Sequence, residues 1–271
     1  MRTDAVELAR FYRRKAGQSA RAMIARRLQA LWPHTHQLDL LGFGFAGPYL
    51  DLYRGEARRA LAFMPGSQGA VHWPDDALNA SCLGDELHLP FKEAQFDRII
   101  VAHGLEEAHA PRRLLRELWR VLAPEGRMVV ITAHRAGLWS QTDGTPLGAG
   151  RPYSKGQLSE LFDDTLFEPL AWSRALYVPP VNWLLGPRTS EIFEHLGERV
   201  YPGFGGILMA EVIKHIGAVR PKGTLQRRTG LEGLRPGALS PVPSANAHHK
   251  ASRRSHHDAD PASWPDGHPP L

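Results

Sequence analysis

Between residues 38 and 213 the apolar positions alternate between two patterns. Short, nearly continuous runs of strand length take turns with longer stretches whose apolar residues recur every three or four positions. Such alternation predicts a mostly parallel sheet covered by helices. Leu8, Phe11, Tyr12, Ala20, Met23, Ile24, Leu28 and Leu31 mark N-terminal helix, which Trp32-Pro33 ends. Strands are expected at Leu38–Leu41, Ala60–Met64, Leu78–Leu83 and Phe96–His103, with a fifth in "RMVVIT". Pro111 opens a helix whose Leu114, Leu115, Leu118, Val121 and Leu122 share a face, and "PEG" at 124–126 stops it. Ser154 and Gln157 form a capping box before Leu158, Leu161 and Phe162. "FEPLAWSRALYV" and "GGILMAEVIKH" supply two more strands, expected as an antiparallel edge pair.

Composition adds boundaries to this pattern. From Arg220 onward the chain is rich in Pro, Gly, Ser and His and has no apolar periodicity, so residues 220–271 are expected to form a disordered basic tail. Its five histidines are irregularly spaced, and no metal site is expected. The net charge of +5 resides at the ends: residues 1–36 contribute +6 and the tail +4, leaving −5 for residues 37–219. With no aromatic-interleaved basic stripe, this distribution argues against nucleic acid as partner. No apolar run approaches the roughly 20 residues of a membrane helix, and the charged start does not read as a secretory signal, so a cytoplasmic location without a membrane partner is expected. The single cysteine, Cys82, reads as packing.

The first strand runs into "GFGFAGPYL", where closely spaced glycines turn the chain under a helix as in nucleotide-binding loops. Pro48 is tolerated only in a first helical turn, so that helix is expected to start there.

The segment Asp85–Thr132, "DELHLPFKEAQFDRIIVAHGLEEAHAPRRLLRELWRVLAPEGRMVVIT", resembles the second half of a class I S-adenosylmethionine-dependent methyltransferase of the type 11 family. An acid precedes Leu89-Pro90-Phe91, Phe96-Asp97 starts a strand, and Leu115-Arg116-Glu117, Arg120-Val121-Leu122, Pro124 and Gly126 lead into the next. The resemblance implies an α/β, Rossmann-like methyltransferase fold over residues 37–219: a mostly parallel seven-stranded sheet with helices on both faces, preceded by a helical segment at 1–36. It implies methyl transfer to an unidentified acceptor, a small molecule favoured over nucleic acid. A non-catalytic protein of the same fold that binds a ligand or partner is the second reading.

The cofactor positions implied by the resemblance are Gly42, Phe43, Gly44 and Ala46 in the first loop, Met64 at the end of the second strand, and Asp85 with Glu86 after the third. Ala46 stands for the third glycine, and Met64 stands where the family carries the acid that holds ribose. Asp39 is one place early for the family's first acid, so its side chain turns to the other face of the strand. Asp85 is expected near the adenine amino group, or else as a solvated turn acid. His103 follows the fourth strand at the ligand edge of a parallel sheet, either as the group taking a proton from the acceptor or as a loop hydrogen-bonding residue. The stretch Ala133–Leu158 reads as an acceptor-side cover, with His134, Trp139, Arg151 and Tyr153 as substrate-binding candidates; a structural ion pair is the alternative for Arg151.

Overall fold

A computed structural model describes residues 2–142, 145–179 and 205–214. The expected tail at 220–271 lies outside the described residues. The helices are α1 (Ala5–Arg13), α2 (Lys15–Leu31), α3 (Gly47–Leu50), α4 (Pro111–Val121) and α5 (Lys155–Asp164). The strands are β1 (Asp39–Gly44), β2 (Arg59–Pro65), β3 (Ser81–Gly84), β4 (Phe96–Ala102), β5 (Leu122–Ala133), β6 (Phe167–Ala175) and β7 (Ile207–Lys214).

The seven strands form one sheet in the order β3-β2-β1-β4-β5-β7-β6. Strands β1 to β5 are parallel, and β7 runs antiparallel to both β5 and β6. This is the Rossmann-like methyltransferase architecture, including the antiparallel pair at one edge. Alternation along each strand sorts the core into two layers. Leu40, Met64, Ile100 and Val129 pack with α1, α2 and α3, while Leu41, Phe43, Ile99, Val101 and Val130 pack with α4 and α5. The helices of residues 1–36 therefore share a core with the sheet.

Local chemistry explains the boundaries that differ from expectation. The N-terminal helix is two helices, because Arg14 is extended (φ −79°, ψ 159°) and the chain folds back sharply. Gly17 permits that corner: a Cβ there would lie 2.1 Å from the Phe11 carbonyl oxygen. Strand β3 starts at Ser81 rather than Leu78, since the Asn79 side chain accepts from the amides of Trp73 (3.3 Å) and Ser81 (3.0 Å) and holds a turn there. Leu78 is 92% exposed. The capping box on α5 is present in full, with Ser154 Oγ accepting from the Gln157 amide and Gln157 Oε1 from the Ser154 amide.

Candidate active site

Strand β1 is flanked on one side by β2 and on the other by β4, so the chain connections diverge at its carboxyl end. In open parallel sheets this divergence opens a ligand crevice. Here Gly44 turns the chain at φ 75°, and a Cβ on it would lie 2.4 Å from the Ala102 carbonyl oxygen. That carbonyl accepts from the Phe45 amide at 2.8 Å, which locks the loop after β1 onto the end of β4. The loop carries two aromatic rings in opposite directions. Phe43 stacks on Phe63 in the α4 layer, whereas Phe45 stacks on Tyr12 of α1 with centroids 5.6 Å apart.

Beside this loop lies a cleft of about 440 Å³ walled by Tyr12, Phe45, Gly47, Met64, Val71 and Trp73. Its rim is charged: Arg54 pairs with Asp76 at 2.6 Å, and Arg21 with Asp51 at 3.0 Å. Trp73 Nε1 donates to Asp51, fixing the indole as a wall. A second cleft, of about 370 Å³, lies between α1 and the short 3-10 turn Pro146–Gly148, with Glu7, Arg10, Phe11 and Arg14 on one side and Thr145 and Ala149 on the other.

A polar cluster is buried between the strand ends and the N-terminal segment. Arg2 donates from Nη1 to the Gly104 carbonyl at 2.8 Å and from Nη2 to the Glu86 carboxylate. The Thr3 amide and hydroxyl donate to Glu107. Tyr12 Oη lies 2.8 Å from His103 Nε2 and 2.9 Å from Tyr49 Oη. Gln68 Nε2 donates to the His103 carbonyl, and its own carbonyl oxygen on the backbone accepts from the Ala5 amide. Burial lowers the His103 imidazole to about 4, so it stays neutral, and raises the Glu106 carboxyl to about 7. Glu106 Oε1 accepts from the Ala133 amide at 3.1 Å. Its Oε2 is buried without a partner among the described residues, as are Gln68 Oε1, Arg2 Nε and Thr132 Oγ1.

Residues 64–130, from the last turn of β2 through most of β5, match the family model described as a methyltransferase domain. Over that stretch the chain is similar to a methyltransferase domain. It is 30% identical over 95 residues to a demethylmenaquinone methyltransferase of Deinococcus radiodurans, a match covering 35% of this chain and 33% of that one. A demethylmenaquinone methyltransferase of Thermotoga maritima is 45% identical over 49 residues, 18% of this chain and 21% of its own. The chain thus spans a third or less of the length of these relatives. The methyltransferase fold reaches further: a solved Thermotoga maritima S-adenosylmethionine-dependent methyltransferase, described as a possible histamine N-methyltransferase, superposes with a TM-score of 0.57 at 18% identity over 77% of this chain and 94% of its own. A methyltransferase from Aquifex aeolicus gives 0.52 at 13% identity over 79% and 100%. At these identities the likeness is one of fold.

Gly42, Phe43, Gly44, Ala46 and Met64 all gather at the carboxyl ends of β1 and β2. Met64 lines the larger cleft, and its sulfur accepts from the Val71 amide at 3.4 Å. Glu86 reaches the buried cluster, but Asp85 points to solvent: it caps its own turn at the Leu87 amide and pairs with His88, which holds its carboxyl low. Asp39 sits at the opposite end of β1, tied to Arg58 and Arg59.

The remaining expected contacts need correction. His103 is not free to take a proton from an acceptor, because its Nε2 already shares a hydrogen bond with Tyr12 and burial disfavours the imidazolium. Trp139 is fully buried with its indole N–H on the Val178 carbonyl, and His134 Nδ1 lies 3.0 Å from the Gly205 carbonyl oxygen. Tyr153 is likewise buried, its hydroxyl directed at the Leu105 carbonyl. These three anchor the loop instead of facing an acceptor, and only Arg151 is exposed. Arg2, Tyr12, Gln68 and Glu106 are the polar groups that sequence reasoning missed. For Glu106 a signal existed, an acid four residues past the end of the apolar strand β4; for Arg2 none did.

Proposed function

We propose that the domain transfers a methyl group from S-adenosylmethionine to a small-molecule acceptor. The observation that carries this reading is the cleft of about 440 Å³ at the divergence point beside β1, within the size range of small-ligand sites. The cofactor fits what the cleft offers. Met64, Val71 and Trp73 present apolar surface to the cofactor, the rim aspartates Asp75 and Asp76 are acceptors for ribose hydroxyls, and the turn at Gly44 lets backbone approach a ligand closely.

The bound cofactor supplies a methyl group on a sulfonium sulfur, which keeps the bonding pair when the methyl leaves. Alignment dominates such a transfer, and the rigid β1–β4 junction provides it. The second cleft favours an acceptor of small-molecule size, with Arg10 and Arg14 beside it for an anionic or polar edge. The demethylmenaquinone methyltransferases that the chain partly resembles support a small-molecule acceptor rather than nucleic acid. Calorimetry of the full chain with S-adenosylmethionine and with S-adenosylhomocysteine, extended to millimolar ligand, tests this reading. Saturable heat at one site per chain is expected for both; flat titrations for both overturn it.

A further inference from the structure

The turn at Gly44, next to the cleft-lining Phe45, also abuts the loop after β4, since a Cβ on Gly44 would lie 3.0 Å from Gly104 Cα. Between that loop and the one after β3 lies the chain's own Arg2, whose side chain is entirely buried. The guanidinium bridges the Glu86 carboxylate and the Gly104 carbonyl, two acceptors that belong to those two loops. The corner thus offers two acceptors to N–H donors, and the exocyclic amino group of a purine carries two N–H bonds that can meet them. Arg2 fills the corner imperfectly, since its Nε finds no partner among the described residues and Gln68 Oε1 and Glu106 Oε2 remain unpaired nearby in the same cluster. Each such buried orphan costs free energy that a better-matched occupant would not incur.

Resting on the methyltransferase reading, we propose that Arg2 is an internal competitor for the purine end of the cofactor, so that cofactor entry swaps the Arg2 guanidinium out of the Glu86–Gly104 corner. The moving part is short. Arg2 and Thr3 precede the Asp4 cap of α1, and the contacts to release are those to Gly104, Glu86 and Glu107. Helix α1 itself stays, because Leu8, Phe11 and Tyr12 belong to the core and Tyr12 walls the open cleft. The arm therefore works as a latch on the site, and anything that draws Arg2 away opens it.

Titrating S-adenosylhomocysteine into the parent and into Arg2→Ala tests the latch. The variant is expected to bind at least ten times more tightly. Equal affinity, or weaker binding by the variant, overturns the latch while leaving the cofactor reading intact; no binding by either protein overturns both. Should Arg2→Ala fail to fold, hydrogen exchange on the parent decides. The N-terminal peptide ending at Leu8 should exchange faster with S-adenosylhomocysteine bound, because the Thr3 amide sits at the released end, and slower or unchanged exchange there contradicts the proposal.

Discussion

A methyl group at position 44 would sit 2.4 Å from the Ala102 carbonyl oxygen, on a backbone turned to φ 75°, so Gly44 is first a condition of the fold and only through it a condition of ligand approach. The closely spaced glycines made this residue legible in the sequence. The two titrating groups behind it were not, because burial set their properties. Glu106, raised to about 7, binds its proton more tightly in the folded chain than in the unfolded one, so its contribution to stability is present at low pH and lost as pH rises toward and through 7. His103, lowered to about 4, has the opposite sign: stability falls as pH drops from the ordinary imidazole range toward 4. The two slopes oppose each other between about 4 and 7 and conceal one another in the parent. Glu106→Gln should separate them. Relative to the parent, the variant should gain stability between pH 5 and pH 8, by on the order of 3 kcal/mol at most, in urea denaturation at the two pH values. A difference that does not change with pH would mean that Glu106 is not buried as described.

Among the elements, the motif that made the family legible turns out to hold the fold together. Glu117 accepts from the Leu89 amide, and Arg120 donates to Glu117 and to the carbonyls of Leu89 and Phe91, which staples the "LPF" turn to α4. Asp97 of the "FD" pair accepts from the Asp39 amide and so joins the start of β4 to β1. These local pairings explain why strands and helices could be read from sequence, while the cover over the crevice could not. That cover is the N-terminal segment, whose contacts to Glu86 and Gly104 join positions 84 and 102 residues apart and leave no periodic trace. The stretch after β5, rich in turn residues, instead packs Trp139 against the segments after β6 and before β7. Trp139→Ala should destabilise the chain by about 3–5 kcal/mol, measured by denaturation. A loss below 1 kcal/mol would restore the loop as a free cover.

At the scale of the whole molecule, seven strands in the order β3-β2-β1-β4-β5-β7-β6 bring the first glycine turn, the end of β2 and the loops after β3 and β4 to one edge, although they lie up to 60 residues apart in the chain. The alternation of apolar patterns foretold this sheet, and with it the position of Met64 at the carboxyl end of β2. Which groups complete the crevice depended on how α1 folds back at Arg14, a three-dimensional consequence of a single extended residue. No helix among the described residues is long and apolar enough to cross a membrane. The central claim, that a cofactor occupies the crevice beside β1, is tested most directly by mapping hydrogen exchange of the full chain with and without saturating S-adenosylhomocysteine. Protection is expected at Phe45–Asp51 and Met64–Asp76, with none in the hollow formed by Arg116, Trp119 and Leu166 on the α4–α5 side. Protection confined to that hollow, or none anywhere, would contradict the account.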